Sequence, residues 1–324
     1  MTNMEKLDKI DKKILLELDT NARKSFSLIG KNIGIGKNNV QYRVNRLVKL
    51  GIIKKFVVQL SLARLGLFLG KIFLQLSGYT KDEEKKIYEY LLKDKRVSWI
   101  AKCEGRWDLM IGAYAKDINQ FLEIKKNLLK KFERYVASYD IIFLGEGHTS
   151  QRTYLLEKKE PSKKVKKFMG KSEEEISKLD KKILKYITNN ARFNYTEIAE
   201  KFKMNVKTAQ KKIKSLEEKG VIRGYVTFLD PKKIGYNFFK LCIYLKSQNK
   251  LEEFIDYCLQ IPNVIHVIES LGPWEVELEI ETENLDDFYE LTHKIRNEHS
   301  KMIKKTESVI ISEEVKLDFF PAWF

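Results

Sequence analysis

Ile10-Asp11-Lys12-Lys13-Ile14-Leu15 returns as Leu179-Asp180-Lys181-Lys182-Ile183-Leu184. Asn21-Ala22-Arg23 returns as Asn190-Ala191-Arg192, and Gly51-Ile52-Ile53 as Gly220-Val221-Ile222, all at one offset of 169 residues. Without gaps, 10–67 and 179–236 share 16 identities in 58 positions. The match resumes at an offset of 167, where Val97 through Phe121 aligns with Val264 through Phe288. A repeat of that length is far longer than a solenoid unit and reads as a duplicated pair of domains.

Each copy opens with a helical pattern. Ile10, Ile14, Leu15 and Leu18 share one face, and Asp11 sits where a first-turn carboxylate favours the helix dipole. A short helix is expected around Leu28–Ile33, matched by Glu197–Phe202. A turn follows, Gly34-Ile35-Gly36 or Lys203-Met204-Asn205, and then a longer helix with Asn205 or Gly36 as its N-cap. Val40, Val44 and Leu47 face inward, as do Ala209, Ile213 and Leu216, and Gly51 and Gly220 mark the stop. Short helix, tight turn, longer helix is the helix-turn-helix plan, whose second helix enters the DNA major groove.

The exposed face of that second helix carries the candidate DNA contacts. In the first copy they are Lys37, Asn38, Asn39, Gln41, Tyr42, Arg43 and Arg46. In the second they are Lys207, Thr208, Gln210, Lys211, Lys212 and Lys214. Arg, Asn and Gln suit bidentate contact with base edges, whereas Lys mostly meets phosphate. Only Gln41 and Gln210 coincide, so the two faces should read different bases.

Charge follows the same division. The chain has 324 residues and a formal charge of +16. Residues 1–60 carry +8, 61–156 carry +5, 157–175 carry +2, 176–229 carry +8 and 230–324 carry −7. Positive charge thus concentrates in the first part of each repeat, as in a duplicated polyanion-binding module. No apolar run approaches a membrane span, and no secretory signal is visible. Cys103, Cys242 and Cys258 are odd in number and widely spaced, which suits three buried thiols in a reducing cytoplasm.

After each glycine stop the pattern turns to β. Strands are expected at Phe56–Leu60, Lys71–Leu76, Val97–Lys102, Leu109–Tyr114 and Val136–Leu144, with helices at Asp82–Leu92 and Ile118–Lys130. The second copy repeats them at Tyr225–Leu229, Lys240–Leu245, Val264–Glu269, Val276–Ile280 and Ser308–Val315, with helices at Leu251–Leu259 and Leu285–Arg296. The order βαββαβ is ferredoxin-like, with helices on one face of an antiparallel sheet. The other face must be buried, most simply against a second such sheet.

The fold class is therefore α+β: two copies of a winged or plain helix-turn-helix domain, each followed by a ferredoxin-like domain. The expected boundaries are 1–60, 61–156, a Lys-rich linker at 157–175, 176–229 and 230–324.

Leu179-Asp180-Lys181-Lys182-Ile183-Leu184, Tyr195-Thr196-Glu197-Ile198-Ala199, Leu216 through Tyr225 and Leu229-Asp230-Pro231-Lys232-Lys233-Ile234-Gly235-Tyr236 together resemble the leucine-responsive (Lrp/AsnC) transcription regulators. The resemblance covers nearly the whole chain, in two copies. It implies double-stranded DNA as partner, an amino acid or related metabolite as effector, and self-association through the ferredoxin-like domains, within or between chains. It also places the effector near a Gly-x-x-Asp turn. Here that turn is Gly105-Arg106-Trp107-Asp108 in one copy and Gly272-Pro273-Trp274-Glu275 in the other, giving Gly105, Asp108, Gly272 and Glu275 as candidate ligand residues.

Two other function classes remain. No Ser/His/Asp set, glycine-rich phosphate loop or metal cluster appears, and His148, His266, His293 and His299 show no ligand spacing, so no enzyme, cofactor or metal is expected. Yet the sirohaem decarboxylases resemble this same domain pair and occur as tandem fusions. Their strand with histidines and an arginine ahead of Asn-x-Trp is matched here only by His266 and Trp274. The other class is an architectural DNA packer without sequence preference.

Overall fold

The computed structural model describes residues 7–156, 166–168, 173–321 and 323–324. The first copy runs α1 (Lys9–Thr20), α2 (Phe26–Ile33), α3 (Lys37–Lys49), β1 (Ile53–Leu60), β2 (Phe68–Leu76), α4 (Lys81–Lys93), β3 (Val97–Gly105), β4 (Leu109–Ala115), α5 (Ile118–Phe132) and β5 (Val136–Thr149). A three-residue strand, β6 (Lys166–Phe168), pairs with the end of β5. That strand falls inside the stretch read as a solvated linker, of which 157–165 and 169–172 lie outside the described residues.

The second copy runs α6 (Lys178–Ile187), α7 (Tyr195–Lys201), α8 (Val206–Glu218), β7 (Ile222–Leu229), β8 (Asn237–Leu245), α9 (Leu251–Leu259), β9 (Val264–Leu271), β10 (Val276–Thr282), α10 (Leu285–Glu298) and β11 (Ile303–Leu317).

Local chemistry sets these boundaries. Asp8 caps α1 and forms a reciprocal capping box with Asp11, and Asn205 caps α8 through the Thr208 N–H. Gly51 and Gly220, just past α3 and α8, lie at φ 69° and 67°, where a Cβ would be strained. The faces expected to be inward are buried: Val40, Val44 and Leu47 on α3, and Ala209, Ile213 and Leu216 on α8.

The two ferredoxin-like halves do not remain separate sheets. Strands are ordered β2-β4-β3-β11-β8-β10-β9-β5, and β5 pairs back onto β2, so eight strands close into a ring. β5 and β11 are the joints. The first part of β5 pairs with β2 of its own half, while Phe143–Thr149 pairs with β9 of the other. Likewise β11 pairs with β8 through Ile303–Ile310 and with β3 through Val309–Leu317. Both strands run longer than the expected Val136–Leu144 and Ser308–Val315, and β5 gains its added residues at the end that crosses to the other half. The unlike halves therefore meet within one chain, a question the sequence left open.

Closure gives each strand two apolar environments. Outward residues of the first half (Ile72, Leu74, Ile100, Leu109, Ile111) pack with Ile87, Leu91, Phe121 and Ile124 of its helices. The second half repeats this with Leu241, Ile243, Val276 and Leu278 against Phe254, Cys258 and Phe288. Inward residues Phe73, Trp99, Cys103, Trp107, Met110, Cys242 and Trp274 fill the ring. Ring closure also removes open sheet edges, which would otherwise invite pairing with other chains.

Candidate nucleic-acid interface and the cavity beneath it

α2–α3 and α7–α8 are the helix-turn-helix pairs. On α3, Lys37, Asn38, Asn39, Gln41 and Tyr42 are exposed, Tyr42 at 70%. On α8, Lys207, Gln210, Lys211 and Lys214 are exposed, and Thr208 is half-buried. Arg43 and Arg46 turn back instead. Arg43 donates to Asp8 (2.6 Å) and Asp11 (2.9 Å), and Arg46 donates to the other oxygen of Asp11, which is fully buried. Lys212 does the same in the second copy, donating to Asp180 at 2.9 Å. The pairs Arg43–Asp11 and Lys212–Asp180 are repeat equivalents. They tie α3 and α8 to the helix that opens each copy. Lys214 lies 3.5 Å from Glu218 with both side chains well exposed, a contact worth little in water.

The two helix-turn-helix units are held to each other. β1 and β7 form a two-stranded antiparallel ribbon of their own. Arg23 stacks on Phe193 at 3.8 Å and donates to the carbonyls of Ala191 and Phe193. Arg192 stacks on Phe26 at 4.2 Å and donates to the carbonyls of Ala22 and Lys24. This reciprocal clamp explains why Asn-Ala-Arg recurs. In sequence it served only as a marker of the repeat; arginine beside an aromatic-rich turn was the available signal.

Beneath the ribbon the ring interior is charged. Lys71 and Lys240 are repeat equivalents, and both donate to Glu277 at 2.8 Å; Lys240 also reaches Glu279 at 2.8 Å. Lys240 and Glu277 are fully buried. Burial disfavours every one of these charges, but attraction wins for three: Glu277 is lowered, Glu279 falls to about 2, and Lys240 is raised by its two acids. For Lys71 burial prevails and its ammonium is destabilised. A second cluster joins the halves where buried Arg152 bridges Asp19 (2.9 Å) and Glu281 (2.9 Å), with the Tyr154 hydroxyl also on Glu281. These residues were missed in the sequence. Val276–Ile280 was expected only as a strand, and ring closure is what turns its glutamates inward.

Between this charged layer and the ribbon lies a cavity of about 190 Å³. Gln59 and Leu60 of β1 and Phe228 of β7 form its roof, with Lys71, Trp99, His266, Glu279 and Glu314 along its walls. His266 makes a 3.1 Å hydrogen bond with Thr149 Oγ1, and burial holds its imidazole below the usual range. Glu314 accepts from the Trp99 indole N–H at 3.1 Å, and burial raises its carboxyl to about 7.

A family model described as winged helix-turn-helix DNA-binding matches residues 7–54 and again 176–223. The uncharacterized HTH-type transcriptional regulator PH1916 of Pyrococcus horikoshii is 31% identical over 130 residues, which span 39% of this chain and 85% of that protein. The chain belongs to the HTH-type transcriptional regulators. Its helix-turn-helix motif occurs twice, once at the head of each half. The regulator PF0250 of Pyrococcus furiosus is 29% identical over 148 residues, 44% of this chain and 97% of that protein, so one relative corresponds to about half of this chain. The siroheme decarboxylase NirDL shares the fold across both copies, at TM-score 0.64 over 97% of this chain and 94% of that one, with 14% identity.

In this regulator the turn residues proposed for a ligand have structural partners. Asp108 accepts from the Leu76 N–H at 2.7 Å, and Glu275 accepts from the Leu245 N–H at 2.8 Å. Glutamate thus does in one copy what aspartate does in the other. Trp107 and Trp274 are buried and pack on each other and on Phe73 at 5.1–5.2 Å. Gly105, at φ 137°, and Gly272 approach the β-strand of the opposite half closely, where a Cβ would meet Ser308 O at 3.3 Å or Ile141 O at 2.7 Å. Glu146, His148 and Glu269 bring potential metal-ligand atoms within 4.8 Å of one another, but each already has another interaction. No helix among the described residues is long and apolar enough to cross a membrane.

Proposed function

We propose that this chain is a sequence-specific transcriptional regulator that reads a non-palindromic DNA site with two different recognition helices, and that a small metabolite modulates it. The observation that carries this is the clamp. Ribbon β1–β7 and the Arg23 and Arg192 stacks join two unlike reading faces in one rigid pair. An ordinary two-fold dimer presents one face twice and favours a palindrome. Selection of bound DNA from a random pool should return two dissimilar half-sites at fixed spacing; a palindrome, or no enrichment, would overturn the reading.

The phosphate contribution is separable. Lys207→Ala with Lys211→Ala should flatten the dependence of log K on log salt by about one unit per lost contact. An unchanged slope in a salt titration would remove α8 from the interface. Arg43→Ala should behave differently, because Arg43 holds Asp8 and Asp11. It should lower the melting temperature as well as DNA affinity, by about 1–3 kcal/mol of stability for a charged hydrogen bond lost at a buried acid. A variant with native melting behaviour and weak DNA binding would make Arg43 a direct contact after all.

An amino acid or related metabolite at the Gly105 and Gly272 turns would meet carboxylates already held by backbone N–H groups. A second reading, a sirohaem decarboxylase, is favoured by the shared fold and by His266 on the cavity wall. The cavity argues against it, since about 190 Å³ is below the roughly 300–1,000 Å³ of sites that enclose larger ligands. A tetrapyrrole absorption band in purified protein supplied with sirohaem would favour the enzyme.

A further inference from the structure

We propose that the cavity under the β1–β7 ribbon binds a small apolar primary amine, with Glu314 taking the ammonium group and the ribbon reporting occupancy to the recognition helices. The inference rests on the regulator reading and gives it an effector class and a site.

Three observations converge. Glu314 lines the cavity and has no cation within 4.0 Å among the described residues, unlike Glu277 and Glu279. Its one hydrogen bond comes from the neutral Trp99 indole. Gln59 Oε1, on the roof, is buried without a hydrogen-bond partner, and an unmet acceptor there is costly. An ammonium carries three donors and can serve both acceptors. Leu60, Leu69, Leu144 and Ile268 supply an apolar stretch of the wall beside these acceptors. At about 10–15 Å³ of probe volume per water, about 190 Å³ leaves room for a ligand of about six to nine heavy atoms. That range spans isoamylamine and leucine.

The same ammonium could belong to a free amine or to an amino acid. Lys71 also lines the cavity and gives one of its donors to Glu277. A carboxylate on the ligand would have that ammonium to meet. Leucine against isoamylamine distinguishes the two sources.

Coupling follows from the covalent path. β1 leaves α3 through Gly51, β7 leaves α8 through Gly220, and both strands contribute to the roof. A ligand that orders the roof biases the relation of the two recognition helices.

The charged groups around Glu314 are Glu279 and Glu281 of β10 and Lys54 of β1, with Lys71, His266 and Asp318 on the same wall. Burial lowers the His266 imidazole from its ordinary range and raises the Glu314 carboxyl to about 7. The ionised carboxylate is the binding form, so affinity should rise with pH. It should be about tenfold tighter at pH 8 than at pH 6, from an ionised fraction of roughly nine-tenths against one-tenth.

The test is calorimetry of the full chain with isoamylamine and with leucine at pH 6 and pH 8. Binding by either ligand, stronger at pH 8, is expected, and Glu314→Gln should weaken it at least tenfold while keeping an acceptor for Trp99. Leu69→Trp, which fills the cavity from β2, should abolish it even if Glu314→Gln fails to fold. No heat with either ligand, or wild-type affinity in the variants, overturns the proposal. DNA binding of the ligand-free protein is measured on the same preparation. If it persists while no amine binds, only this inference falls; if it is absent, the regulator reading falls.

Discussion

Residues 1–156 and 172–324, prepared separately and mixed, are expected to form a 1:1 complex that neither half forms with itself at comparable strength. The reason is the asymmetry of the buried charge. Lys71 and Lys240 are repeat equivalents, but their acids come from the second half only, because Glu277 and Glu279 align with Met110 and Gly112. A homodimer of the first half would bury two lysines without an acid. Breaking a buried pair in this way costs about 3–5 kcal/mol for each charge left unpaired. A homodimer of the second half would keep Lys240 with its acids but lose Arg152, which leaves Glu281 buried without its cation. The mixed species satisfies both clusters. Sedimentation of each half and of the mixture decides. Two like homodimers as tight as the mixture, with no mixed species, would show that the charge asymmetry does not select partners.

The sequence shows why this pairing was only partly legible. Periodicity and glycine stops placed the recognition helices, and βαββαβ order placed the sheets, because both follow from local rules of backbone and burial. The need to cover the free sheet face was also readable. What covers it was not, since β5 and β11 each pair with strands of both halves, and register between distant strands leaves no local mark. The charge difference between halves was visible as a sum, +5 against −7. Its placement was not. In β10 the outward positions are Val276, Leu278 and Ile280, so the apolar stripe faces the helices and the glutamates face the ring. An alternating strand ordinarily puts its polar face in water. On α3 and α8, Arg43, Arg46 and Lys212 fit a DNA-reading stripe by spacing, and their ion pairs with a buried aspartate on α1 and a part-buried one on α6 left no mark in the local pattern.

Lys240→Met should be among the most damaging single changes in the chain. Lys240 has no exposed surface and is bonded to Glu277 and Glu279, so its removal leaves two acids enclosed, with only Lys71 against Glu277. A loss of about 3–5 kcal/mol is expected in denaturant unfolding of the full chain. Removing the whole cluster is a different experiment. In Lys71→Met, Lys240→Met, Glu277→Met, Glu279→Gly, the last two changes copy Met110 and Gly112, and no charge of the set remains. Replacing a complete buried network by apolar groups is often neutral or stabilising. The fourfold variant should therefore be clearly more stable than Lys240→Met near neutral pH, while its separated halves keep only the preference that Arg152 and Glu281 supply. Acid separates the two further. Glu279 is held at about 2 against an ordinary 4.5, so its contribution is complete above about 4.5 and is lost as pH falls toward 2. That part of the acid sensitivity should vanish in the fourfold variant. If the variant is as destabilised as Lys240→Met alone, the network stabilises the fold directly and is not mainly a device for choosing the partner half.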